Sequence, residues 1–120
     1  HFVNAQVGGE IREVYDMTYL MQEVFRIVRT EYGFEPDCDT IDYYRFVTHL
    51  KFFARRIVSG QQYGDEDSDL LEVVRFKYPR AYACASRVCA YVQREKNFRA
   101  GQNELLYLTI HIARVMDKST

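Results

Sequence analysis

The sequence predicts an all-α fold, a compact bundle of about five helices joined by short connections. Apolar residues recur at helical spacing in several long segments, whereas no segment alternates apolar and polar residues as a strand would. Of the 120 residues, 48% are hydrophobic, which is enough to bury the core of one domain. The chain is therefore expected to be a single globular helical domain rather than a disordered segment.

The first predicted helix covers residues 10–32 and ends at Gly33. The pair Gly8-Gly9 is predicted to break the chain before it. The first six residues, H-F-V-N-A-Q, are therefore interpreted as the end of a preceding element or as a tag remnant. The helix has a broad apolar stripe, whose width predicts contacts on two sides, as in a bundle or a dimer. Its members are Ile11, Val14, Met17, Thr18, Leu20, Met21, Val24, Phe25, Ile27 and Val28.

The second predicted helix, residues 43–58, contains neither glycine nor proline and has a clear apolar face. Thr40 or Asp42 can cap its start, and Gly60 follows its end. Leu50 lies at the centre of the apolar face. The residues predicted to share that face are Phe46, Val47, Phe53, Ala54 and Ile57.

Three further helices are predicted over residues 69–78, 79–98 and 102–118, and a proline opens the second of them. Small residues along 79–98 allow close approach of a neighbouring helix. The connection 61–68 is polar, and its run Asp65-Glu66-Asp67 is interpreted as a solvated link that places negative charge before the next helix.

Charge and composition exclude several functional classes. The formal net charge is −1, from 16 basic and 17 acidic residues, whereas a nucleic-acid-binding surface normally carries a basic excess. No apolar run approaches the roughly 18 residues of a membrane helix, and no export signal opens the chain. We therefore expect a cytoplasmic domain that itself contacts neither nucleic acid nor membrane. The cysteines, interpreted as reduced core residues, are Cys38, Cys84 and Cys89.

One histidine lies at the border of the apolar face of the second helix. His49 is about 100° from Leu50 around the helix axis. Arg45 and Arg56, four residues before and seven residues after His49, share that border. The sequence thus predicts a titratable ring between an apolar face and two guanidinium groups.

The last helix repeats this arrangement. His111 shares a helix border with Glu104, Tyr107 and Arg114. Either histidine alone is most simply a packing or surface residue. The repetition of the same arrangement in two helices favours a functional role for the two histidines instead.

Phosphoryl acceptance is the chemistry that fits these residues. A neutral imidazole nitrogen is a nucleophile near pH 7, and arginines stabilise an incoming phosphoryl group. Glu104 is expected to hold the second ring N–H of His111 and so fix its tautomer. The arginine candidates are Arg45 and Arg56 beside His49 and Arg114 beside His111.

No enzyme activity, cofactor or metal site is predicted. The sequence contains no nucleotide-binding loop, nucleophile elbow or paired zinc motif. A metal site could be imagined from His49, His111, Glu104 and Asp42, but their spacing follows no recognised ligand pattern.

Two segments resemble the signature segments of a known family, the phosphotransferase-system regulation domain or PRD. They are H-L-K-F-F-A-R-R from His49 and E-L-L-Y-L-T-I-H-I-A-R-V from Glu104. The stretch Y-P-R-A-Y-A-C-A from Tyr78 fits as well. The chain is most similar to the second PRD of BglG/SacY-type transcriptional antiterminators, over about residues 7–120. Residues 1–6 resemble the end of a preceding PRD, so that His1 corresponds to an acceptor histidine of that domain.

The resemblance implies a helical bundle that forms symmetric dimers and is regulated by phosphorylation. The phosphocarrier protein HPr, and possibly enzyme II of a sugar permease, would phosphorylate it according to sugar supply. His49 and His111 match the family's acceptor positions. Phosphorylation of the second PRD generally favours the active dimer, whose separate N-terminal domain binds nascent RNA and prevents a terminator hairpin.

Two alternatives stay open from the sequence. In the first, the parent protein is a DNA-binding transcriptional activator of a sugar operon, since PRDs also occur in such proteins, and the fold is the same. In the second, the chain is a purely structural dimerisation module in which both histidines are inert.

Overall fold

The computed structural model describes the backbone of residues 2–61 and 67–117, and side chains from residue 8 onward within these ranges. The described residues form five α-helices and no strand, which confirms the all-α prediction. His1 and the acidic residues Asp65 and Glu66 lie outside them. The helices are α1 (Phe2–Tyr32), α2 (Ile41–Ser59), α3 (Asp69–Lys77), α4 (Pro79–Lys96) and α5 (Gln102–Met116).

Helix α1 differs from the sequence prediction at its start. It runs without interruption through Gly8 and Gly9, so the predicted break there is wrong. A glycine inside a helix costs only about 1 kcal/mol, and helix propensity is readily overridden by its surroundings. The assignment of residues 1–6 to a preceding PRD stays a prediction.

The apolar stripe of α1 is only partly buried. Leu20, Val24 and Val28 are fully enclosed, whereas Ile11 and Val14 are 52% and 62% exposed. Ile11 and Val14 are therefore not enclosed within this chain, and the predicted contact on a second side, in a bundle or a dimer, stays a prediction. A helix of 31 residues is about 46 Å long, whereas the next longest helix, α2, has 19 residues.

Helix α2 has the predicted caps. The Thr40 side chain accepts a hydrogen bond from the backbone N–H of Tyr43 at 3.1 Å, as an N-cap does. Gly60 ends the helix in the left-handed region at φ 75°, a conformation that glycine adopts without a steric penalty. The buried face of α2 consists of Phe46, Leu50, Phe53, Ala54 and Ile57, so His49 and Arg56 lie at its border.

Helices α4 and α5 form the most extensive pair in the bundle. Pro79 begins α4 as predicted, and Asn97 ends it with a positive φ of 53°. Helix α5 also packs against α2 and α3, which brings its histidine-bearing border to α2. The fully buried residues of these two helices include small and branched side chains: Ala81, Cys84, Ala85, Val88, Leu108 and Ile112.

The cysteines are all free thiols, as predicted, but they are not all core residues. Cys84 is buried and Cys89 half-buried, whereas Cys38 is exposed in the connection between α1 and α2. The core interpretation is therefore wrong for Cys38. Among the described helices, none is long and apolar enough to cross a membrane.

Candidate functional site

The two predicted histidines meet between α2 and α5. The ring centroids of His49 and His111 are 4.8 Å apart and the ring planes are inclined by 27°, a stacked arrangement. Helical periodicity placed each ring at a helix border but left the distance between them open. The structure thus unites residues 62 positions apart in the sequence in one pair.

An ion pair flanks the stacked rings on one side. Arg56 of α2 donates through Nη2 to Glu104 Oε1 of α5. Their side chains are only 21% and 19% exposed. Because the later residue of α2 contacts the earlier residue of α5, and His49 contacts His111, the two helices run antiparallel along this contact.

Glu104 therefore has a different partner from the predicted one. It was expected to hold the second ring N–H of His111, seven residues later on the same helix. Two helical turns separate these residues by about 10 Å along the axis, whereas Arg56 reaches Glu104 directly from α2. The second carboxylate oxygen of Glu104 is buried and has no hydrogen-bond partner among the described residues.

Tyr107 completes this region on α5. Its ring centroid is 6.0 Å from that of His49, with the planes inclined by 54°, and its side chain is half-exposed. The sequence placed it beside His111 but gave it no role, because a contact with the opposite helix leaves no trace in the periodicity. We refer to His49, Arg56, Glu104, Tyr107 and His111 as the histidine seam.

Polar atoms in this seam are incompletely satisfied. Across the described part of the chain, three buried side-chain nitrogen or oxygen atoms lack a hydrogen-bond partner. They are His49 Nε2, Arg56 Nε and Glu104 Oε2. Buried polar atoms in folded proteins are nearly always partnered, so the clustering of all three exceptions distinguishes this seam from the rest of the described structure.

Both histidine rings are held neutral. Burial, the neighbouring His111 and Arg56 together lower the pKa of His49 to about 4. The pKa of His111 is also lowered, chiefly by burial and by Arg114. At neutral pH each ring therefore retains an unprotonated nitrogen, which a nucleophile requires.

The two remaining predicted arginines act electrostatically on His111. Arg45 and Arg114 are both exposed, and both lower the pKa of His111. Arg45, predicted to support His49, thus acts across the helix pair as well. Asp42 opposes them by raising the pKa of His111. Its position seven residues before His49, on the same helix face, could have indicated this.

The arrangement suits acceptance of an anionic group by a neutral imidazole. Arginine side chains from both helices act electrostatically on the two unprotonated rings, and guanidinium groups bind phosphoryl oxygens well. The described residues contain no group of three or more histidine, cysteine or carboxylate side chains placed to hold a metal ion.

Comparison with known proteins adds independent information. A model of the family described as PRD domain matches residues 22–115, which include the whole histidine seam. The chain is 42% identical over 119 residues to the transcription antiterminator LicT of Bacillus subtilis (strain 168), covering 99% of this chain and 43% of that protein.

Two further relatives extend the comparison. The beta-glucoside operon antiterminator of Dickeya chrysanthemi is 38% identical over 115 residues, 96% of this chain and 41% of that protein. Protein GlcT of Staphylococcus epidermidis is 28% identical over 112 residues, 93% of this chain and 39% of that protein. The chain therefore spans about two fifths of the length of the curated relatives that it matches.

Proposed function

The chain belongs to the PRD domain family, and from that premise we propose that it regulates a sugar-responsive transcriptional antiterminator through phosphorylation of His49 and His111. Two of its relatives are named as antiterminators. The observation that carries the proposal is the stacking of the two histidine rings at 4.8 Å between α2 and α5.

Three residues of the histidine seam and two neighbouring arginines have roles in this proposal. His49 and His111 are the phosphoryl acceptors, and their neutral rings supply the attacking nitrogen. Arg56 supports the phosphoryl group at His49, while Arg45 and Arg114 do so at His111. These are binding and positioning roles, and the domain itself is not an enzyme.

Phosphorylation changes the packing of α2 against α5 because of charge. A phosphoryl group adds about two negative charges at neutral pH. In a half-buried seam such charge requires new cationic partners or an opening of the contact. This provides a physical route from a covalent modification to a change in helix packing and so to the association of two copies of the domain.

The partners follow from the family. The phosphoryl donor is the phosphocarrier protein HPr, and enzyme II of a sugar permease is a second candidate. The domain acts as a homodimer in the cytoplasm and corresponds to the second PRD of its parent protein. RNA is bound by another part of that protein, which agrees with the net charge of −1 here.

Phosphosite mapping tests the acceptor assignment. The chain is incubated with phosphoenolpyruvate, enzyme I and HPr, and is then digested and mapped under non-acidic conditions. Label is expected on His49, His111 or both, and the double variant His49→Asn/His111→Asn should take up none. Wild-type protein that carries no label on either histidine would refute the proposal.

Sedimentation tests the link to association. The double variant His49→Asp/His111→Asp carries negative charge at both positions and should tighten the dimer relative to His49→Asn/His111→Asn, which is matched in size. Equal dimerisation of the two variants would contradict the regulatory link. Unaltered regulation by a parent protein carrying His→Ala at both positions would instead support an inert dimerisation module.

A further inference from the structure

Arg56 and Glu104 form an ion pair that leaves hydrogen-bonding capacity unused on both sides. Arg56 contacts Glu104 through Nη2, while Arg56 Nε and Glu104 Oε2 are buried without a partner among the described residues. A guanidinium group and a carboxylate can form two parallel hydrogen bonds. Here only one is made, so the pair does not satisfy either group.

The long side chain of Arg56 is expected to extend toward His49, which lies two helical turns nearer the N-terminus of α2. Arg56 follows His49 by seven residues on the same face of α2, and helical side chains lean toward the N-terminus, which is the direction of His49. The electrostatic effect of Arg56 on His49 agrees with this proximity. Arg56 thus contacts the carboxylate of Glu104 and acts electrostatically on the His49 ring from the same face of α2.

We propose that Arg56 exchanges Glu104 for the phosphoryl group on His49, so that Glu104 competes with that group for the guanidinium and limits how strongly His49 retains it. This inference rests on the proposed function and assigns Glu104 a role opposite to support of the phosphorylated state. Glu104 is a positioning residue in this scheme, because it acts on His49 through Arg56.

Charge and donor geometry favour the exchange. A phosphoryl group offers three oxygens and about two negative charges, against one charge on a carboxylate. Its oxygens can accept hydrogen bonds from Arg56 Nε as well as Nη2, which satisfies the donor that Glu104 leaves unpartnered. Glu104 can become neutral once Arg56 departs, since burial already raises its pKa.

The transfer step is balanced without further reactants. The N–P bond of a donor phosphohistidine breaks, and the electron pair stays with the donor imidazole. The unprotonated nitrogen of His49 forms the new N–P bond, while the ring keeps its single N–H on the other nitrogen. Because bonds of the same kind break and form, the reaction is reversible and its equilibrium constant reports how well the chain retains the group.

The equilibrium constant is measured in a His111→Asn background, so that His49 is the reporting site. Phosphorylated HPr is mixed with the chain, and the label on both proteins is quantified after the partition becomes constant. Glu104→Gln removes the charge but keeps the size, and should shift the partition toward the chain by about tenfold, as expected for one charge interaction in a partly buried site.

A matched control exists on another helix pair. Glu31 forms an ion pair with Arg87 of α4 and is 21% exposed, close to the 19% of Glu104, but it is not part of the histidine seam. Glu31→Gln should leave the partition unchanged. In the double variant Arg56→Gln/Glu104→Gln, the gain from Glu104→Gln should vanish, because the two substitutions act on one interaction.

The outcomes separate this inference from the proposed function. Equal partition for Glu104→Gln and Glu31→Gln, with His49 labelled in both, would overturn the exchange and leave the proposed function intact. If Glu104→Gln still shifted the partition toward the chain when Arg56 is replaced, the exchange would also be overturned. The shift would then reflect direct repulsion between Glu104 and the phosphoryl group. Absence of label from both histidines of the wild-type chain would refute the proposed function, and the exchange with it.

Discussion

Two of the polar regions that join helices in the described part of this bundle differ in how completely their groups are paired. In the histidine seam, the three buried unpartnered atoms of the described residues lie together. In the second region, Tyr32 donates to Asp117 at 2.8 Å, and Arg80 donates to the backbone carbonyls of Glu31 and Tyr32 at 3.3 Å. Arg87 also pairs with Glu31. We refer to these five residues as the tyrosine network.

The difference indicates what each region is for. The tyrosine network ties the C-terminal end of α1 to α4 and to the residue after α5, with its buried groups satisfied, as expected of a region that stabilises a fold. The histidine seam keeps buried groups unsatisfied, which costs stability. Such a departure from local consistency is expected at functional sites.

The largest expected effect is a loss of stability on acidification, which comes from the histidine seam. The folded chain holds His49 neutral until about pH 4, whereas its ordinary pKa is 6.5. Protonation therefore favours the unfolded chain as the pH falls from 6.5 toward 4, while stability above pH 6.5 is unaffected. The contribution is roughly 2 kcal/mol, allowing for the partial exposure of the ring.

Urea unfolding at pH 7 and pH 4.5 measures this effect. Between these two pH values, His49→Gln should lose less free energy of unfolding than the wild type. Glu104, whose pKa is raised, has the opposite effect on stability, but it is present in both proteins and cancels when they are compared. Tyr32→Phe, in the tyrosine network, should keep the wild-type loss. An equal loss in wild type and His49→Gln would show that the ring is not held neutral.

The second prediction concerns the tyrosine network at pH 7. Tyr32→Phe removes the hydroxyl that donates to Asp117 and should lower the free energy of unfolding by about 1.5 kcal/mol, as for a hydrogen bond to a charged group. The exposed Tyr44 supplies the control, since Tyr44→Phe should change stability little. If both substitutions had the same effect in urea unfolding, the tyrosine network would not stabilise the fold.

The sequence predicts the helices well where local signals act. Thr40, Gly60 and Pro79 mark helix ends through capping and backbone geometry, and α2 to α5 begin and end within two residues of the predicted limits. The Gly8-Gly9 pair misleads because glycine weakens a helix without forbidding it. The exposure of Ile11 and Val14 depends on which helices lie beside them, and helical periodicity does not encode this.

The candidate site brings together residues that the sequence analysis singled out, but its contacts differ from the predicted ones. Helical periodicity identifies the borders that carry His49 and His111. It cannot specify that α2 and α5 are neighbours, nor that they run antiparallel. The ion pair of Glu104 with Arg56 depends on both facts. Periodicity alone therefore predicts a contact of Glu104 with His111, which lies on the same helix.

The smallest expected effect compares the same introduced residue in the two regions. His49→Phe keeps an aromatic ring beside His111 but removes the buried, unpartnered Nε2 atom. It should leave stability unchanged or raise it by about 0.5 kcal/mol at pH 7, while abolishing phosphorylation at this position. Tyr32→Phe, by contrast, removes a satisfied group and should destabilise. Urea unfolding of both variants at pH 7 measures this difference. If His49→Phe lowered the free energy of unfolding as much as Tyr32→Phe does, the histidine seam would stabilise the fold as the tyrosine network does.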